Sequence, residues 1–354
     1  GPGLILRARS NAILMSDLLK RLTGKCVLGL CDRHPGMKPL FRKLGLRTSM
    51  EWFGDRVVRI QLPDGRSFKL ASLARNYLSF ELFWRGTTYY EPITSLVMQQ
   101  LLRPGDTFID AGANVGFYSL LLTVGCPSLH VFAFEPNPKN YELLAANIAA
   151  NGIGNITCEP VALSESKGTA VLYLSASDMS ASLSSEFEAN PVGSLEVPTT
   201  TLDQYFTGRK IHGRMLIKLD VEGHEPPILA GARRLIAGHR PDIVTEAIFQ
   251  NGEDIAIFLK KLGYRFYHIT DCGLMETTAL VPFIRGRLVF LNCLLSTKLP
   301  GEVAELFERI KDQVERIDLT TTSKFMDERM IERLRAKMRP GRRAPLPAAC
   351  PLVN

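Results

Sequence analysis

The chain has 354 residues, 45% of them hydrophobic and 22% charged, with a formal net charge of +7. That length and balance support a folded core and exclude a disordered or fibrous chain, and with no run of eighteen apolar residues no transmembrane helix is expected. Seven cysteines (26, 31, 126, 158, 272, 293 and 350) are odd in number and lack a Cys-x-x-Cys pair, which argues against a disulfide framework or zinc cluster and favours a reducing, cytoplasmic setting.

Residues 1–86 read as an accessory region. Apolar side chains at 4, 5, 6, 13, 14, 15, 18, 19 and 22 have roughly helical spacing, and the polar and charged residues among them do not suit a signal peptide. Residues 1–50 hold ten Lys/Arg against Asp17 and Asp32, so the positive charge is concentrated there. Such a region can meet anionic partners. Without interleaved aromatics it is read as the solvated face of a dimerising or capping helix, so a homo-oligomer is possible and no nucleic acid is expected. Over 55–83, Val57-Val-Arg-Ile-Gln-Leu62, a Pro-Asp-Gly turn and Ser67-Phe-Lys-Leu70 predict a β-hairpin.

Residues 87–298 carry the main domain. Glu91-Pro92 opens a helix to Leu102, and Arg103-Pro-Gly-Asp106 turns into the first core strand. Strands are predicted near 107–110, 130–134, 155–160, 215–219, 242–246, 264–269 and 287–295, with helices near 115–123, 138–150, 227–238 and 252–262. This alternation predicts a parallel sheet covered on both faces. The last two strands are joined by a loop alone, so one should run antiparallel. An insert at 164–206 holds a strand, Thr169-Ala-Val-Leu-Tyr-Leu174, and a serine-rich stretch, Ser175 to Ser185, read as a mobile lid. Residues 299–354 are expected to form a helical extension ending in a disordered tail.

Asp110-Ala-Gly-Ala-Asn-Val-Gly116 ends a buried strand on a carboxylate and breaks into a glycine-rich turn before an apolar helix. Glycines let backbone amides approach a ligand, and the carboxylate can pair with a cation. The next strand, His130 to Phe134, stops on Glu135, where an acid can grip both hydroxyls of a ribose. The Gly-x-Gly-x-x-Gly of dinucleotide sites and the lysine-bearing phosphate loop are both missing. A leading Asp suits an ammonium group, such as the methionine end of S-adenosyl-L-methionine, and would repel a diphosphate. The densest polar cluster, Asp220-Val-Glu222-Gly-His224-Glu225, follows an apolar strand at the end where ligands sit in open α/β sheets.

Four segments, Asp110 to Ser119, Phe134-Glu-Pro-Asn-Pro138, Ile217-Lys-Leu-Asp-Val-Glu-Gly-His-Glu225 and Pro241-Asp-Ile-Val-Thr-Glu246, come in the order and spacing of one family. Together they closely resemble the FkbM family of S-adenosylmethionine-dependent methyltransferases, over roughly 87–295. The resemblance implies a class I methyltransferase (Rossmann-like) fold, a seven-stranded sheet with the last strand antiparallel. It also implies a methyl acceptor that is a hydroxyl of a small molecule, glycan or secondary-metabolite scaffold. Carried onto this chain, Asp110, Gly112, Asn114 and Gly116 would cradle the methionine moiety, Glu135 would take the ribose, and the segment at Ala162 would lie against the adenine. Glu91, Asn137 and Asp220 join the implied cofactor set. Asp220, Glu222, His224 and Glu246 are the implied catalytic group.

Methyl transfer from a sulfonium needs alignment and a base for the hydroxyl proton. His224 suits by intrinsic pKa and Asp220 by position. Asp220 and Glu246 could alternatively hold a divalent ion, although no third ligand is evident. Methylation of nucleobase amino groups is disfavoured, because Asp-Val-Glu-Gly stands where an Asn/Asp-Pro-Pro-aromatic motif would be. A nicotinamide-dependent oxidoreductase and a non-catalytic nucleoside-binding protein are the alternative classes.

Overall fold

The computed structural model describes residues 26, 27, 29–31, 33–43, 56–71, 75–175, 181–183, 191–246, 253–323 and 326. The helix read over 4–23, the centre of the serine-rich stretch with Asp178 and Met179, and the tail from Arg339 lie outside these residues. The chain forms two compact units, Gly1–Thr87 and Thr88–Asn354.

In the first unit, a helix α1 (Lys38–Lys43) precedes an antiparallel hairpin, β1 (Val57–Gln61) and β2 (Ser67–Ala71). Strict alternation buries Val58, Ile60, Phe68 and Leu70 on one face, and Pro63-Asp64-Gly65 makes the turn between Gln61 and Ser67. The hairpin ends well before residue 83. Asn76 instead accepts a hydrogen bond from the Ser79 amide and caps a helix α2 (Tyr77–Arg85). The apolar run Tyr77 to Trp84 suits either structure, and the cap decides for helix.

The second unit runs α3 (Pro92–Leu101), β3 (Thr107–Ala111), α4 (Phe117–Gly125), β4 (His130–Phe134), α5 (Pro138–Asn151) and β5 (Ile156–Glu159). An insert then contributes β6 (Ala162–Leu163), β7 (Gly168–Leu174), β8 (Ala181–Ser182) and β9 (Gly193–Thr200). After it come α6 (Leu202–Tyr205), β10 (Met215–Leu219), α7 (Glu225–Ala230), α8 (Arg233–His239), β11 (Asp242–Glu246) and α9 (Glu253–Lys261). The chain continues through β12 (Arg265–Thr270), β13 (Gly273–Thr277), β14 (Phe283–Arg285), β15 (Leu288–Phe290), β16 (Asn292–Ser296), α10 (Pro300–Glu308) and α11 (Lys311–Glu315).

The main sheet has eight strands in the order β13-β12-β16-β11-β10-β3-β4-β5. Pairs from β11 through β5 are parallel, while β16 runs antiparallel to both β11 and β12. The late strand is thus the reversed one. The eighth strand, β13, folds back from β12 through a tight turn in which Thr270 Oγ1 accepts from the Cys272 amide and donates to the Gly273 carbonyl. Only a loop was expected there. The single strand expected over 287–295 is divided, with β15 pairing β14 in a separate hairpin and β16 entering the main sheet. The helix expected over 227–238 is also divided. At the break a Cβ on Gly231 would stand 2.1 Å from the Ser164 carbonyl oxygen, and Asp203 accepts from the amides of Arg234 and Leu235 to start α8.

Cys272 is disulfide-bonded, while Cys26, Cys31, Cys126, Cys158 and Cys293 are free. The insert is a small sheet, β6-β9-β7-β8, of which only β7 was anticipated. Gly193–Thr200 reads Gly-Ser-Leu-Glu-Val-Pro-Thr-Thr, and its proline masked the strand signal. Residues past 299 belong to the same unit as the sheet. The Ser323 amide donates to the Tyr89 carbonyl and the Met326 amide to the Arg287 carbonyl, so the extension returns to the start of α3. No helix among the described residues is long and apolar enough to cross a membrane.

Candidate active site

The carboxyl ends of β3, β4, β10 and β11 bring the expected residues onto one side of the molecule. β3 and β10 lie side by side in register, Lys218 opposite Asp110 and Leu219 opposite Ala111, so their loops meet. Gly112 is left-handed (φ +79°), and a Cβ there would stand 2.0 Å from the Asp220 carbonyl oxygen. Glycine is required by this contact between loops. The loop amides close inward: those of Gly112 and Ala113 both donate to the Phe134 carbonyl at 3.0 Å, and that of Gly116 to the Ala113 carbonyl at 2.7 Å. The amide of Asn114 donates to Glu135 Oε2 at 2.8 Å. These four amides are taken up within the protein: three fasten the loop to the end of β4, and that of Gly116 closes the loop on itself.

Glu135 also accepts from the Asn137 amide through Oε1 at 2.9 Å. Burial pushes its carboxyl up to about 7, against the pull of these two N–H donors. Each oxygen thus holds one donor and keeps a second acceptor position. Asn137 has its side-chain oxygen engaged at the Lys139 amide, as the N-cap of α5. Asp110 is buried, and its Oδ2 accepts from both the hydroxyl (2.6 Å) and the amide (3.1 Å) of Ser119, binding α4 to β3. Burial raises it to about 6 despite those bonds. Ala162 is buried in β6, paired with Thr199 at the root of the insert.

At the centre lies a residue the sequence reading passed over. Lys218, on β10, is 0% exposed, with Nζ 3.1 Å from Asp220 Oδ2 and 4.0 Å from Glu91 Oε2. Burial alone would lower its pKa, but the carboxylates of Asp220, Glu91 and Glu246 overrule burial and hold the ammonium above its ordinary value. Tyr90 donates to the same Asp220 Oδ2 at 3.3 Å. Glu91, at the left-handed N-cap of α3 (φ 41°), accepts from the Tyr118 hydroxyl at 2.6 Å and from the Asn292 amide group. Its carboxylate is therefore built into the wall of the site beside Lys218.

Glu222 and Glu246 complete the cluster. Glu222 is left-handed (φ 53°), and its carbonyl accepts from Ser182 of the insert at 2.7 Å. Burial, then Asp220 and Glu225, push its carboxyl up to about 8. Glu246, opposite Asn292 in register, is raised well above the usual carboxylate range by burial and then by Asp220, Glu222 and Glu91. Glu225 turns away, its Oε1 accepting from the amides of Val221 (3.4 Å) and Gly223 (3.3 Å) at the start of α7. His224 stands apart from the carboxylates. Its Nε2 lies 3.0 Å from Ser164 Oγ, and burial lowers its pKa to about 4, so the ring is neutral at pH 7. Among the described residues no group of three His, Cys, Asp or Glu side chains converges as a metal site.

The structure thus brings Asp220, Glu222, Glu246 and Glu91 around Lys218, with Asp110 and Glu135 on adjoining strands. Lys218, Tyr90, Tyr118 and Asn292 were missed. For Lys218 the signal was present: a charged residue inside the otherwise apolar strand Met215-Leu-Ile-Lys-Leu219.

Residues 110–266 match the family model described as the methyltransferase FkbM domain. This domain belongs to the FkbM methyltransferases. The FkbM domain spans β3 to the start of β12, and so includes the Asp110, Glu135, Asp220 and Glu246 strand ends. Hexuronic acid methyltransferase AglP of Haloferax volcanii is 27% identical over 126 residues, 36% of this chain and 49% of that protein. The 31-O-demethyl-FK506 methyltransferase FkbM of Streptomyces tacrolimicus is 28% identical over 158 residues, 37% of this chain and 60% of the relative. The chain therefore spans about half the length of these relatives. A methyltransferase FkbM from Methylobacillus flagellatus KT of known structure has 18% identity and a TM-score of 0.39, covering 63% of this chain and 54% of that one.

Proposed function

We propose that the protein is an S-adenosylmethionine-dependent O-methyltransferase acting on a hydroxyl of a sugar or secondary-metabolite scaffold. One observation carries this reading. Asp220, at the carboxyl end of the central strand, has Oδ2 claimed by Lys218 and Tyr90, which leaves Oδ1 to receive an acceptor hydroxyl. Its side chain is 18% exposed, while Lys218 beneath it is fully covered.

The donor set suits the cofactor. Glu135 keeps an acceptor position on each oxygen for the two ribose hydroxyls. Asp110 has Oδ2 occupied by Ser119, so recognition of an ammonium group falls to Oδ1. Ala162 and its neighbours give an apolar wall for the adenine. The bound cofactor supplies an electrophilic methyl group on a sulfonium. Asp220 Oδ1 holds the acceptor hydroxyl in line and takes its proton as the carbon–oxygen bond forms and the carbon–sulfur bond breaks. The products are a methyl ether, a neutral thioether and a protonated carboxyl that returns its proton to solvent. We assign Glu91 to the support of Lys218, and His224 to orienting the loop through Ser164, because both are already engaged.

The two relatives named for a hexuronic acid and for 31-O-demethyl-FK506 favour a hydroxyl acceptor on a sugar or a secondary-metabolite scaffold. The test incubates the full chain with S-adenosylmethionine and a panel of hexuronic acid glycosides and hydroxylated macrolides. Formation of S-adenosylhomocysteine and a methyl ether supports the reading. Methylation confined to amino groups would overturn the assignment to oxygen.

A further inference from the structure

Lys218 is the unusual residue of this site, a lysine with no exposed surface within a five-residue buried strand. Placing an ammonium there is costly unless carboxylates surround it. They do, from four elements: Asp220 after β10, Glu91 at the start of α3, Asp110 opposite on β3, and Glu246 at the end of β11. The face toward α4 is closed by the Tyr118 ring, 5.2 Å from Nζ. The sequence places several acids and one lysine at the point where a sulfonium is to be received.

We propose that Lys218 is the counter-cation of the site: it pins Asp220 by Oδ2 and sets the charge that discriminates the cationic sulfonium donor from its neutral thioether product. This rests on the proposed use of S-adenosylmethionine. Donor and product share adenine, ribose and amino-acid groups and differ by a methyl and a unit of charge. Geometry at Glu135 and Asp110 therefore cannot separate them strongly, whereas the net charge beside the methyl can: the Asp220 carboxylate favours the sulfonium and the Lys218 ammonium tempers that preference. With Lys218 in place, the Asp220 carboxylate is neutralised from behind, so it does not hold the sulfonium as a tight ion pair. It stays available to the acceptor hydroxyl. Lys218 acts through Asp220 and is a positioning residue, not a catalytic one.

The experiment is calorimetric titration of the full-length wild type, Lys218→Met, Asp220→Asn and the double variant with S-adenosylmethionine and with S-adenosylhomocysteine. Circular dichroism checks the fold of each variant. Removing the ammonium should raise the preference for S-adenosylmethionine over S-adenosylhomocysteine on the order of tenfold, as for loss of a nearby like charge. Asp220→Asn leaves the ammonium uncompensated and should lower the ratio by a similar factor. The double variant removes the pair and should return the ratio to within about threefold of wild type, and Lys218→Arg, which keeps the charge, should hold it there. A purely structural role would change both affinities by one common factor. That result, or a double variant that keeps the ratio of either single, would overturn the inference. If Lys218→Met does not fold, a ratio unchanged in Asp220→Asn overturns it alone. Wild-type protein that bound neither compound would instead overturn the proposed function beneath it.

Discussion

Glu222→Gln offers a stability test of the carboxylate cluster that needs no ligand. Burial and the charges of Asp220 and Glu225 move this carboxyl from an ordinary value of 4.5 to about 8. A folded-state value above the unfolded one means the stabilising contribution is full below pH 4.5 and is lost as pH rises through about 8. At 1.36 kcal/mol for each tenfold change, the whole shift bounds the loss at about 4–5 kcal/mol. Glu222 keeps partial solvent contact and titrates alongside Glu246, so about 2 kcal/mol is expected. Glutamine preserves shape and cannot ionise. Its stability advantage over the wild type should grow by about 2 kcal/mol between pH 5 and pH 8.5, read from urea unfolding at the two values. An advantage that stayed constant, or shrank as the pH rose, would refute the reasoning.

Other outcomes follow from the same geometry. Glu135→Ala removes the two acceptor oxygens proposed to take the ribose, and charge-assisted hydrogen bonds of roughly 1.5–3 kcal/mol each correspond to at least a tenfold loss of S-adenosylhomocysteine affinity by calorimetry; unchanged affinity would remove Glu135 from the site. Gly112→Ala forces a left-handed backbone, at about 1–2 kcal/mol, and a Cβ into the Asp220 carbonyl, so it should lower both the urea midpoint and cofactor affinity. A wild-type midpoint would show that the two loops are not packed as described. Tyr118→Phe leaves Glu91 with the Asn292 donor and without the 2.6 Å hydroxyl bond, and should cost roughly 1–3 kcal/mol of stability, checked by urea unfolding.

The strand ends were legible in the sequence because each core strand is a short apolar run closed by an acid. Thr107 to Asp110, His130 to Glu135, Met215 to Asp220 and Asp242 to Glu246 all fall where that pattern puts them. The packing demand on Gly112 was not legible, because a glycine needed to admit a neighbouring loop carries the same letter as one needed to admit a ligand. Glu91 and Asn137 lie beside the strand ends, but their partners, Tyr118 with Asn292 and the Lys139 amide, depend on tertiary packing and a local cap. His224 looked suited to acid–base work by its intrinsic pKa, whereas burial beside Ser164 leaves it neutral and occupied. Strand β13, the division of β15 from β16 and the strand at Gly193–Thr200 were hidden by turns and a proline that single-sequence periodicity does not weigh.

The central claim, that the acid-tipped strands around Glu135 and Asp220 receive S-adenosylmethionine, is tested most directly by titrating the full chain with S-adenosylhomocysteine and, separately, with NADH. The account predicts saturable one-to-one binding of S-adenosylhomocysteine, weakened by Glu135→Ala, and no binding of NADH. Binding of NADH in place of S-adenosylhomocysteine would contradict it.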